Sequence, residues 1–235
     1  MCRKIAIIPA RGGSKRIPRK NIRPFRGRPI IEWSISAALD SRMFDVVMVS
    51  TDDPEISDIA RSCGAEAPFI RSTENSGDHA TTMDVVHEVL TWYETKNDTF
   101  DIACCLYPTA PFVQARDLVE GAEYLLASDF DVIMPVAAYQ YPIWRSLSRY
   151  PTGKIVLNFP ENVNVRSQDL TTAYHDAGQW YWFRVDALKR DGVLIGTNSG
   201  SIILPGNRVQ DIDTEDDWLL AELKHQRAFG STEDV

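Results

Sequence analysis

The stretch that decides the fold of this chain is KIAIIPARGGSKRIPRKN, residues 4–21. Its first seven residues form a short apolar run, which is typical of a buried strand. A glycine-rich loop follows at once, and from Arg11 to Arg28 there are eight basic residues and no acidic one. The stretch therefore predicts the first strand of a buried sheet, with a concentration of positive charge just beyond its carboxyl end.

Strand and helix patterns alternate from this first strand to residue 138. The predicted strands are 4–10, 45–52, 66–71, 100–108 and 131–138, and the predicted helices are 29–41, 54–64, 80–94 and 115–128. A repeated strand–helix order predicts an α/β fold, with a mostly parallel sheet and helices on both faces. The crossovers are expected to be right-handed.

The alternation stops at residues 139–175, which are rich in Tyr, Pro, Asn and Arg and have no clear helical pattern. The segment KIVLNF (154–159) indicates a hairpin. We interpret 139–175 as a small extended insertion that packs over the sheet edge or against a second subunit. If its aromatic and apolar side chains are exposed, they would form a hydrophobic surface of the kind that binds another protein.

The α/β pattern resumes after the insertion. The predicted elements there are strands at 179–188 and 201–206 and a closing helix at 214–229. Thr214 and Asp217 indicate the start of that helix. The main α/β domain is therefore expected to comprise 1–138 and 176–229, and residues 230–235 a loose tail.

Composition limits the possible partners and location. The chain has 235 residues, 44% of them hydrophobic, and no apolar run near the roughly 20 residues that a membrane span needs. No small-residue cleavage site follows the first apolar run, so we expect a cytoplasmic protein without a membrane partner.

Cys104 and Cys105 are adjacent on a predicted strand, should face opposite ways and are not expected to pair. The net charge of −8 argues against a nucleic-acid partner.

The basic loop has the composition of a polyphosphate-binding site. Backbone N–H groups at its glycines can face an anion, and Arg and Lys side chains add positive charge. The residues expected to contact phosphate are Arg11, Gly12, Gly13, Ser14, Lys15 and Lys20. The loop matches neither the Walker A nor the dinucleotide-binding pattern. Arg23, Arg26 and Arg28 are expected to be surface or structural residues.

A second group of charges lies in VQDIDTEDD, residues 209–217. Asp211 and Asp213 are two apart in an extended segment, so their carboxylates project to the same side. Carboxylates near a polyphosphate are what Mg²⁺ needs, with Mn²⁺ as an alternative. Helices often carry acidic residues in their first turn, which would explain the acids at 215–217 well. It explains Asp211 poorly.

The loop and the carboxylate pair together indicate nucleotidyl transfer, and a resemblance makes this specific. Residues 5–21 resemble the signature of cytidylyltransferases that make CMP-sugars from CTP and nine-carbon acidic sugars (nonulosonic acids). Similar segments follow in the family's order: VSTDDPEI (49–56), IRSTENSGDHATT (70–82), LYPTAPF (106–112) and QDIDTEDD (210–217). The resemblance covers residues 4 to about 225. It implies a Rossmann-like nucleotidyltransferase fold and a homodimer in which 139–175 crosses to the other subunit.

The resemblance also implies roles for individual residues. The cytidine nucleotide would be bound by the loop together with Ala10, Asn21, Arg71, Asp78, Ala80 and Thr82. The sugar would be bound by Tyr107, Thr109, Asp176 and Gln179. The catalytic residues would be Arg11, Lys15, Lys20, Asp211 and Asp213, the last two also holding the metal. His79 and His175 are read as structural or exposed, so no general base is assigned.

The sugar segments favour one branch of the family. Tyr107 stands where N-acetylneuraminate enzymes generally have Gln, and HDAGQWYWF (175–183) replaces their Asn-Gly turn. Both segments look like those of pseudaminic acid cytidylyltransferases. Pseudaminic acid is therefore the expected acceptor, and N-acetylneuraminate, legionaminate and ketodeoxyoctonate remain alternatives.

Two other functions compete with this one. A guanylyltransferase of the same fold would begin its loop with Leu-Ala-Gly-Gly, which this chain lacks. A non-catalytic nucleic-acid-binding protein would carry basic patches interleaved with aromatics on several elements, whereas this chain has one basic run. The sequence therefore favours a cytidylyltransferase.

Overall fold

The computed structural model describes residues 2–230, and the elements below belong to that range. The strands are β1 Lys4–Pro9, β2 Pro24–Phe25, β3 Arg28–Pro29, β4 Val46–Ser50, β5 Ile102–Leu106, β6 Val132–Ala138, β7 Leu147–Arg149, β8 Ile155–Leu157, β9 Tyr174–Asp176, β10 Trp180–Arg184 and β11 Ser199–Ile203. The α-helices are α1 Ile30–Ser41, α2 Pro54–Ser62, α3 Thr82–Glu94, α4 Ala115–Ala127, α5 Val185–Asp191 and α6 Glu215–Phe229.

The main sheet has the order β11-β6-β10-β5-β1-β4, and β9 pairs with β6. β1 is parallel to both of its neighbours, β4 and β5, and β11 is parallel to β6. β10 is antiparallel to β5 and β6, and β9 is antiparallel to β6. Five of the seven strands therefore run in one direction, which confirms the predicted α/β, mostly parallel sheet.

Both faces of the sheet are covered by helices. On β1, Ala6 and Ile8 pack with buried residues of α1, α2 and α4, whereas Ile5 and Ile7 pack with residues of α3 and α5. All four side chains are fully buried. This two-sided burial explains why the strand reads as a continuous apolar run instead of an alternating one.

The adjacent cysteines follow the same strand geometry. Cys104 belongs to the buried cluster on one face of the sheet and Cys105 to the cluster on the other. Both thiols are free, as predicted, and burial raises their pKa. They act as small apolar residues of the core.

The prediction of a strand at 66–71 was wrong. The segment runs along the edge of β4, but it pairs only through isolated bridges, Met48 of β4 with Glu66 and Thr51, just after β4, with Ile70. Between the bridges lies Pro68, which has no N–H to donate to a ladder. Arg71 is nevertheless held at the sheet edge, since its N–H donates to the Thr51 carbonyl at 2.8 Å.

The predicted strand at 179–188 is a strand only as far as Arg184, and α5 begins at the next residue. Asp186 lies in the first turn of this helix and Lys189 and Arg190 in the last, which suits the helix dipole. Gly192, at φ +67°, ends it. Local helix signals therefore prevailed over the apolar pattern that continues from β10.

The insertion contains the predicted hairpin, in which β7 and β8 form a separate two-stranded sheet. Tyr174 and His175, which the sequence pattern places in the insertion, belong to β9 and so to the main sheet. Several large apolar side chains of the insertion are exposed, among them Tyr141 at 83% and Ile155 at 57%. The insertion therefore leaves much of its apolar surface uncovered in a single chain.

The closing helix α6 begins as predicted. The Thr214 hydroxyl accepts a hydrogen bond from the Asp217 N–H, and the Asp217 carboxylate accepts one from the Thr214 N–H, which completes a capping box. Gly230 follows the helix, and 231–235, the rest of the predicted loose tail, lie outside the described residues. Among residues 2–230, no helix is long and apolar enough to span a bilayer.

Candidate active site

The candidate site lies at the carboxyl edge of the sheet. Since β4, β1 and β5 are parallel neighbours, the segments that follow them meet at this edge. A cavity of about 310 Å³ opens there. Its lining consists of Pro9, Arg11, Ser14, Lys15, Arg16, Ile17, Lys20, Asn21, Arg71, Asn75, Gly77, Asp78, Ala80, Thr81, Thr82, Val85, Tyr107, Pro108 and Thr109.

Most predicted site residues share this cavity, although they come from three distant parts of the chain. The predicted residues outside the lining are Ala10, Gly12, Gly13, Asp176, Gln179, Asp211 and Asp213. Ala10 is fully buried, with its N–H donating to the Ser50 carbonyl at 2.9 Å. It therefore supports the start of the loop from below.

The backbone at the start of the loop is held by two side chains. The Asn21 amide donates to the Arg11 carbonyl at 2.9 Å, and the Gly12 N–H donates to Asp52 Oδ1 at 2.8 Å. A Cβ on Gly12 would lie 2.7 Å from Asp53 Oδ2 and 2.9 Å from Asp53 Cβ. Only glycine allows this close approach, so Gly12 seats the loop against the start of α2.

Two cations of the loop are paired with one carboxylate. Arg11 donates to Asp78 Oδ1 at 3.1 Å, and Lys15 donates to Asp78 Oδ2. The Lys15 hydrogen bond and charge, and then Arg11, lower the pKa of Asp78, so that it stays ionised. A polyphosphate that binds Arg11 and Lys15 would have to replace Asp78 as their partner.

The predicted carboxylate pair lies beside the loop because apolar residues of the two segments pack together. Ile17 of the loop and Ile212, between the two aspartates, are both buried in one cluster with Trp218. This packing brings residues 211–213 next to a loop that precedes them by about 190 residues in sequence.

Two basic side chains contact Asp213, the second member of the carboxylate pair. Arg16 lies 2.7 Å from Asp213 Oδ2, and Lys20 Nζ lies 3.5 Å from Asp213 Oδ1. Lys20 also donates to the Ile212 carbonyl at 2.6 Å. Partial desolvation and the Asp213 charge raise the pKa of Asp211. A cation between the two carboxylates would relieve this repulsion.

This donor set fits a magnesium ion. Carboxylate oxygens are ligands that Mg²⁺ accepts, and two of them leave room for the phosphate oxygens and water that complete its octahedral shell. The described residues contain no group of three or more His, Cys, Asp or Glu side chains with metal-binding geometry. A metal held by Asp211 and Asp213 would therefore depend on the substrate for further ligands.

Arg71 forms a buried cationic wall of the cavity. It is 5% exposed, and its Nε donates to Ser50 Oγ at 3.0 Å while a second nitrogen donates to the Ser50 carbonyl. Within the described residues it forms no ion pair. Burial lowers its pKa. Arg71 is therefore a fixed positive group at the nucleobase end predicted for this site.

Tyr107, which is predicted to bind the sugar, also lines the cavity. Its hydroxyl is 3.5 Å from Thr82 Oγ1, and its ring centroid is 5.4 Å from that of Tyr181. The Tyr181 hydroxyl donates to Asp176 Oδ2 at 2.6 Å, and the Gly178 N–H donates to Asp176 Oδ1 at 2.8 Å. Both oxygens of Asp176 are thus engaged within the protein, where they hold the turn and the tyrosine behind Tyr107.

Gln179 is also placed behind the cavity wall. Its side chain is buried and donates to the backbone carbonyl of Arg208 at 2.6 Å. Its backbone carbonyl accepts from the Tyr107 N–H at 2.8 Å. The assignment of Asp176 and Gln179 to the sugar stays a prediction. In this structure both support Tyr107.

Sequence reasoning missed Arg16, which lines the cavity and pairs with Asp213. The available signal was its position in an unbroken Ser-Lys-Arg run just before the buried Ile17. Arg23 and Arg28 lie outside the cavity lining, in line with their prediction as surface or structural residues. Arg23 pairs with Glu215 at 2.7 Å, and Arg28 lies 3.6 Å from the centroid of the Trp33 ring.

Comparison with known proteins assigns the chain to a family. A family model described as cytidylyltransferase matches residues 5–190. The chain belongs to the cytidylyltransferase family. It is 38% identical, over 231 residues, to the pseudaminic acid cytidylyltransferase of Campylobacter jejuni subsp. jejuni serotype O:2, a match that covers 97% of this chain and 100% of the relative.

This cytidylyltransferase also resembles enzymes named for other acidic sugars. It is 31% identical over 229 residues to N-acylneuraminate cytidylyltransferase A of Danio rerio, which covers 96% of this chain and 51% of that protein. A solved structure of CMP:2-keto-3-deoxy-manno-octonic acid synthetase complexed with CTP superposes with a TM-score of 0.69 at 19% identity, covering 96% of this chain and 98% of the other. The last likeness supports the fold alone.

Proposed function

We propose that this cytidylyltransferase transfers CMP from CTP to the anomeric hydroxyl of a nonulosonic acid, with pseudaminic acid as the preferred acceptor. One observation carries the proposal. A single cavity is lined by the basic loop, the buried Arg71 and the half-buried Tyr107. The carboxylates Asp211 and Asp213 lie beside that loop. These are the groups needed to hold a nucleoside triphosphate, a metal and a second substrate.

The chemistry is a displacement at phosphorus. The anomeric oxygen of the acceptor forms a bond to the α-phosphorus of CTP, the α–β phosphoanhydride bond breaks, and pyrophosphate leaves while the hydroxyl proton passes to solvent. Arg11, Lys15 and Lys20 would stabilise the negative charge that grows on the leaving group. Most of the rate acceleration would come from positioning and charge stabilisation.

Asp211 and Asp213 are proposed to hold Mg²⁺, or Mn²⁺ in its place. The bound ion would neutralise and polarise phosphate oxygens of the nucleotide. We predict that Asp211→Asn raises the Mg²⁺ concentration needed for half-maximal rate, because one of two protein ligands loses its charge. Asp216→Asn, an exposed acid of the first turn of α6, is the matched control. An unchanged Mg²⁺ requirement in Asp211→Asn would leave helix-end acidity as the role of this segment.

The choice of acceptor is supported at Tyr107. This tyrosine lines the cavity, and the Tyr181–Asp176 pair packs behind it. Burial raises the pKa of Tyr107, so its hydroxyl is neutral and can donate to a sugar oxygen. The relative from C. jejuni that matches over its full length is named for pseudaminic acid. N-acetylneuraminate, legionaminate and ketodeoxyoctonate are the alternative acceptors.

The test is a panel of acceptors measured in parallel. The protein is incubated with CTP, Mg²⁺ and each of the four sugars, and pyrophosphate release and the CMP-sugar are measured. We expect the highest kcat/KM with pseudaminic acid and no turnover when GTP replaces CTP. A preference for another sugar would change the acceptor. No pyrophosphate with any of the four would overturn the enzymatic function.

The proposal includes the setting of the enzyme. A homodimer through residues 139–175 is supported by the exposed apolar side chains of that segment. We further propose a cytoplasmic enzyme that acts on small molecules and has no nucleic-acid or membrane partner. The net charge of −8 and the confinement of the basic run to one loop support this proposal.

A further inference from the structure

Arg16 is a cation of the site that the chemistry above does not use. It lines the cavity together with Arg11 and Lys15, yet its guanidinium lies 2.7 Å from Asp213 Oδ2. Its side chain is 67% exposed, and within the described residues Asp213 is its one charged partner. Arg16 is therefore positioned between the phosphate-binding loop and the proposed metal ligands.

Each oxygen of Asp213 has a basic partner, Arg16 at one and Lys20 at the other. Lys20 is fixed, since its side chain is 19% exposed and donates to the Ile212 carbonyl. A divalent cation that binds Asp213 would compete with these two cations for the carboxylate. Arg16 can leave more easily, because an exposed ion pair contributes little free energy.

The cavity offers Arg16 a second partner. With a metal ion at Asp213, the guanidinium would lose this counter-charge while still lining the cavity. A nucleotide in that cavity would present phosphate oxygens, which the forked donors of Arg match well. After this exchange each charge would still have an opposite partner, because the metal would replace Arg16 at Asp213 and the phosphates would replace Asp213 at Arg16.

We propose that Arg16 is a positioning residue that couples metal binding to nucleotide binding. It competes with the divalent cation for Asp213 when the site has no nucleotide, and it binds the phosphate chain when the cation is present. This inference rests on the proposed function, in which Asp213 is a metal ligand. Because coupling between two ligands is reciprocal, the nucleotide must also strengthen metal binding through Arg16.

The experiment measures metal binding directly and not turnover. Mn²⁺ binding to the full chain is followed by electron paramagnetic resonance, first alone and then with pyrophosphate. For Arg16→Gln we expect Mn²⁺ alone to bind about two- to fivefold more tightly, the scale of one exposed ion pair. Pyrophosphate with saturating Mn²⁺ should bind about ten- to a hundredfold more weakly, the scale of a lost charged hydrogen bond.

The matched control is Arg23→Gln, which removes one charge from the same basic run but from a side chain that pairs with Glu215 outside the cavity. It should leave both affinities as in the wild type. Arg16→Lys keeps the charge but not the planar set of paired N–H donors. Its Mn²⁺ and pyrophosphate affinities should fall between those of the wild type and Arg16→Gln. A purely structural residue would not increase Mn²⁺ affinity when replaced.

Unchanged or weaker Mn²⁺ binding by Arg16→Gln, including no detectable binding by either protein, would overturn the coupling. An unchanged pyrophosphate affinity would overturn it as well. Turnover of CTP by the wild type keeps the two proposals separate. If the wild type makes a CMP-sugar and Arg16→Gln binds both ligands as the wild type does, only the coupling fails, whereas a wild type without turnover rejects the proposed function itself.

Discussion

At the scale of single residues, the candidate site contains ion pairs whose cations a bound polyphosphate or metal would re-pair. Asp78 holds Arg11 and Lys15, and Asp213 holds Arg16 and Lys20. Most of these side chains are well exposed, so their pairing contributes little to folding. The same cations are therefore available to a ligand at small cost, which separates their effect on activity from their effect on stability.

Lys15 allows that separation to be tested. Lys15→Ala should lower kcat/KM for CTP by roughly 30- to 900-fold, which corresponds to the 2–4 kcal/mol of one preorganised charge-stabilising donor. Its thermal midpoint should stay near that of the wild type, because the Lys15 side chain is 75% exposed. Steady-state kinetics and thermal unfolding give the two readouts.

The control for Lys15 is Lys96→Ala, just beyond the end of α3 and outside the cavity. It should keep the wild-type kcat/KM. A wild-type rate for Lys15→Ala would remove Lys15 from the phosphate site, whereas a large drop in its thermal midpoint would show that its role is structural.

At the scale of elements, the start of α2 supports the loop. Asp53 accepts hydrogen bonds from the N–H groups of Glu55 at 2.9 Å and Ile56 at 3.2 Å, and it also pairs with Arg19 of the loop. Gly12 packs against the same side chain. Asp53 therefore caps α2 and also contacts the phosphate-binding loop. A change at Asp53 should affect both the helix end and the loop.

The pH dependence of stability tests this cap. The hydrogen bond from Arg19, together with the N–H groups of the helix, lowers the pKa of Asp53 below its ordinary value of 3.8. Its stabilisation is therefore complete above about pH 4 and is lost as pH falls through the lowered pKa. Asp53→Asn keeps a capping group but loses the charge, so we expect a midpoint a few °C lower at pH 7, on the scale of about 1 kcal/mol.

That difference between wild type and Asp53→Asn should shrink as pH falls from about 4 towards 2, in a series of thermal unfolding measurements. Asp58→Asn, an exposed acid on the same helix, should show a smaller effect at every pH, because its ion pair with Arg61 is largely solvated. A difference that is absent at neutral pH, or that persists undiminished in acid, would contradict this role of Asp53.

At the scale of the whole molecule, the insertion is the part whose large apolar side chains are most exposed in a single chain. Leu147, Tyr150 and Ile155 on the β7–β8 hairpin are each at least half exposed. An apolar surface of this kind is typical of an interface. The position of the hairpin outside the main sheet also means that changes there should leave the core intact.

We expect the wild type to sediment as a dimer at micromolar concentration and Ile155→Asp to shift towards the monomer, because a charge would be buried at the interface. Leu126→Asp, on α4, places the same charge on an exposed leucine elsewhere and should leave the dimer unchanged. A wild type that sediments as a monomer would reject the homodimer, and a dimeric Ile155→Asp would move its interface away from the hairpin.

The sequence by itself determined the features that depend on local chemistry. The apolar run of β1, the glycines and cations of the loop, and the Thr214–Asp217 capping box act over a few residues, so their patterns could be interpreted directly. The same holds for the alternation of strands and helices that predicted the α/β sheet. These local signals also carried the family resemblance, which the comparisons confirmed.

Only the tertiary structure decided which distant groups meet. The burial of Ile17 with Ile212 brings Arg16 and Lys20 onto Asp213, and no local pattern specifies that contact. The reversed direction of β10 likewise depends on hydrogen-bond partners elsewhere in the chain. Packing of apolar side chains far apart in sequence, and not the charges themselves, sets the geometry of the site.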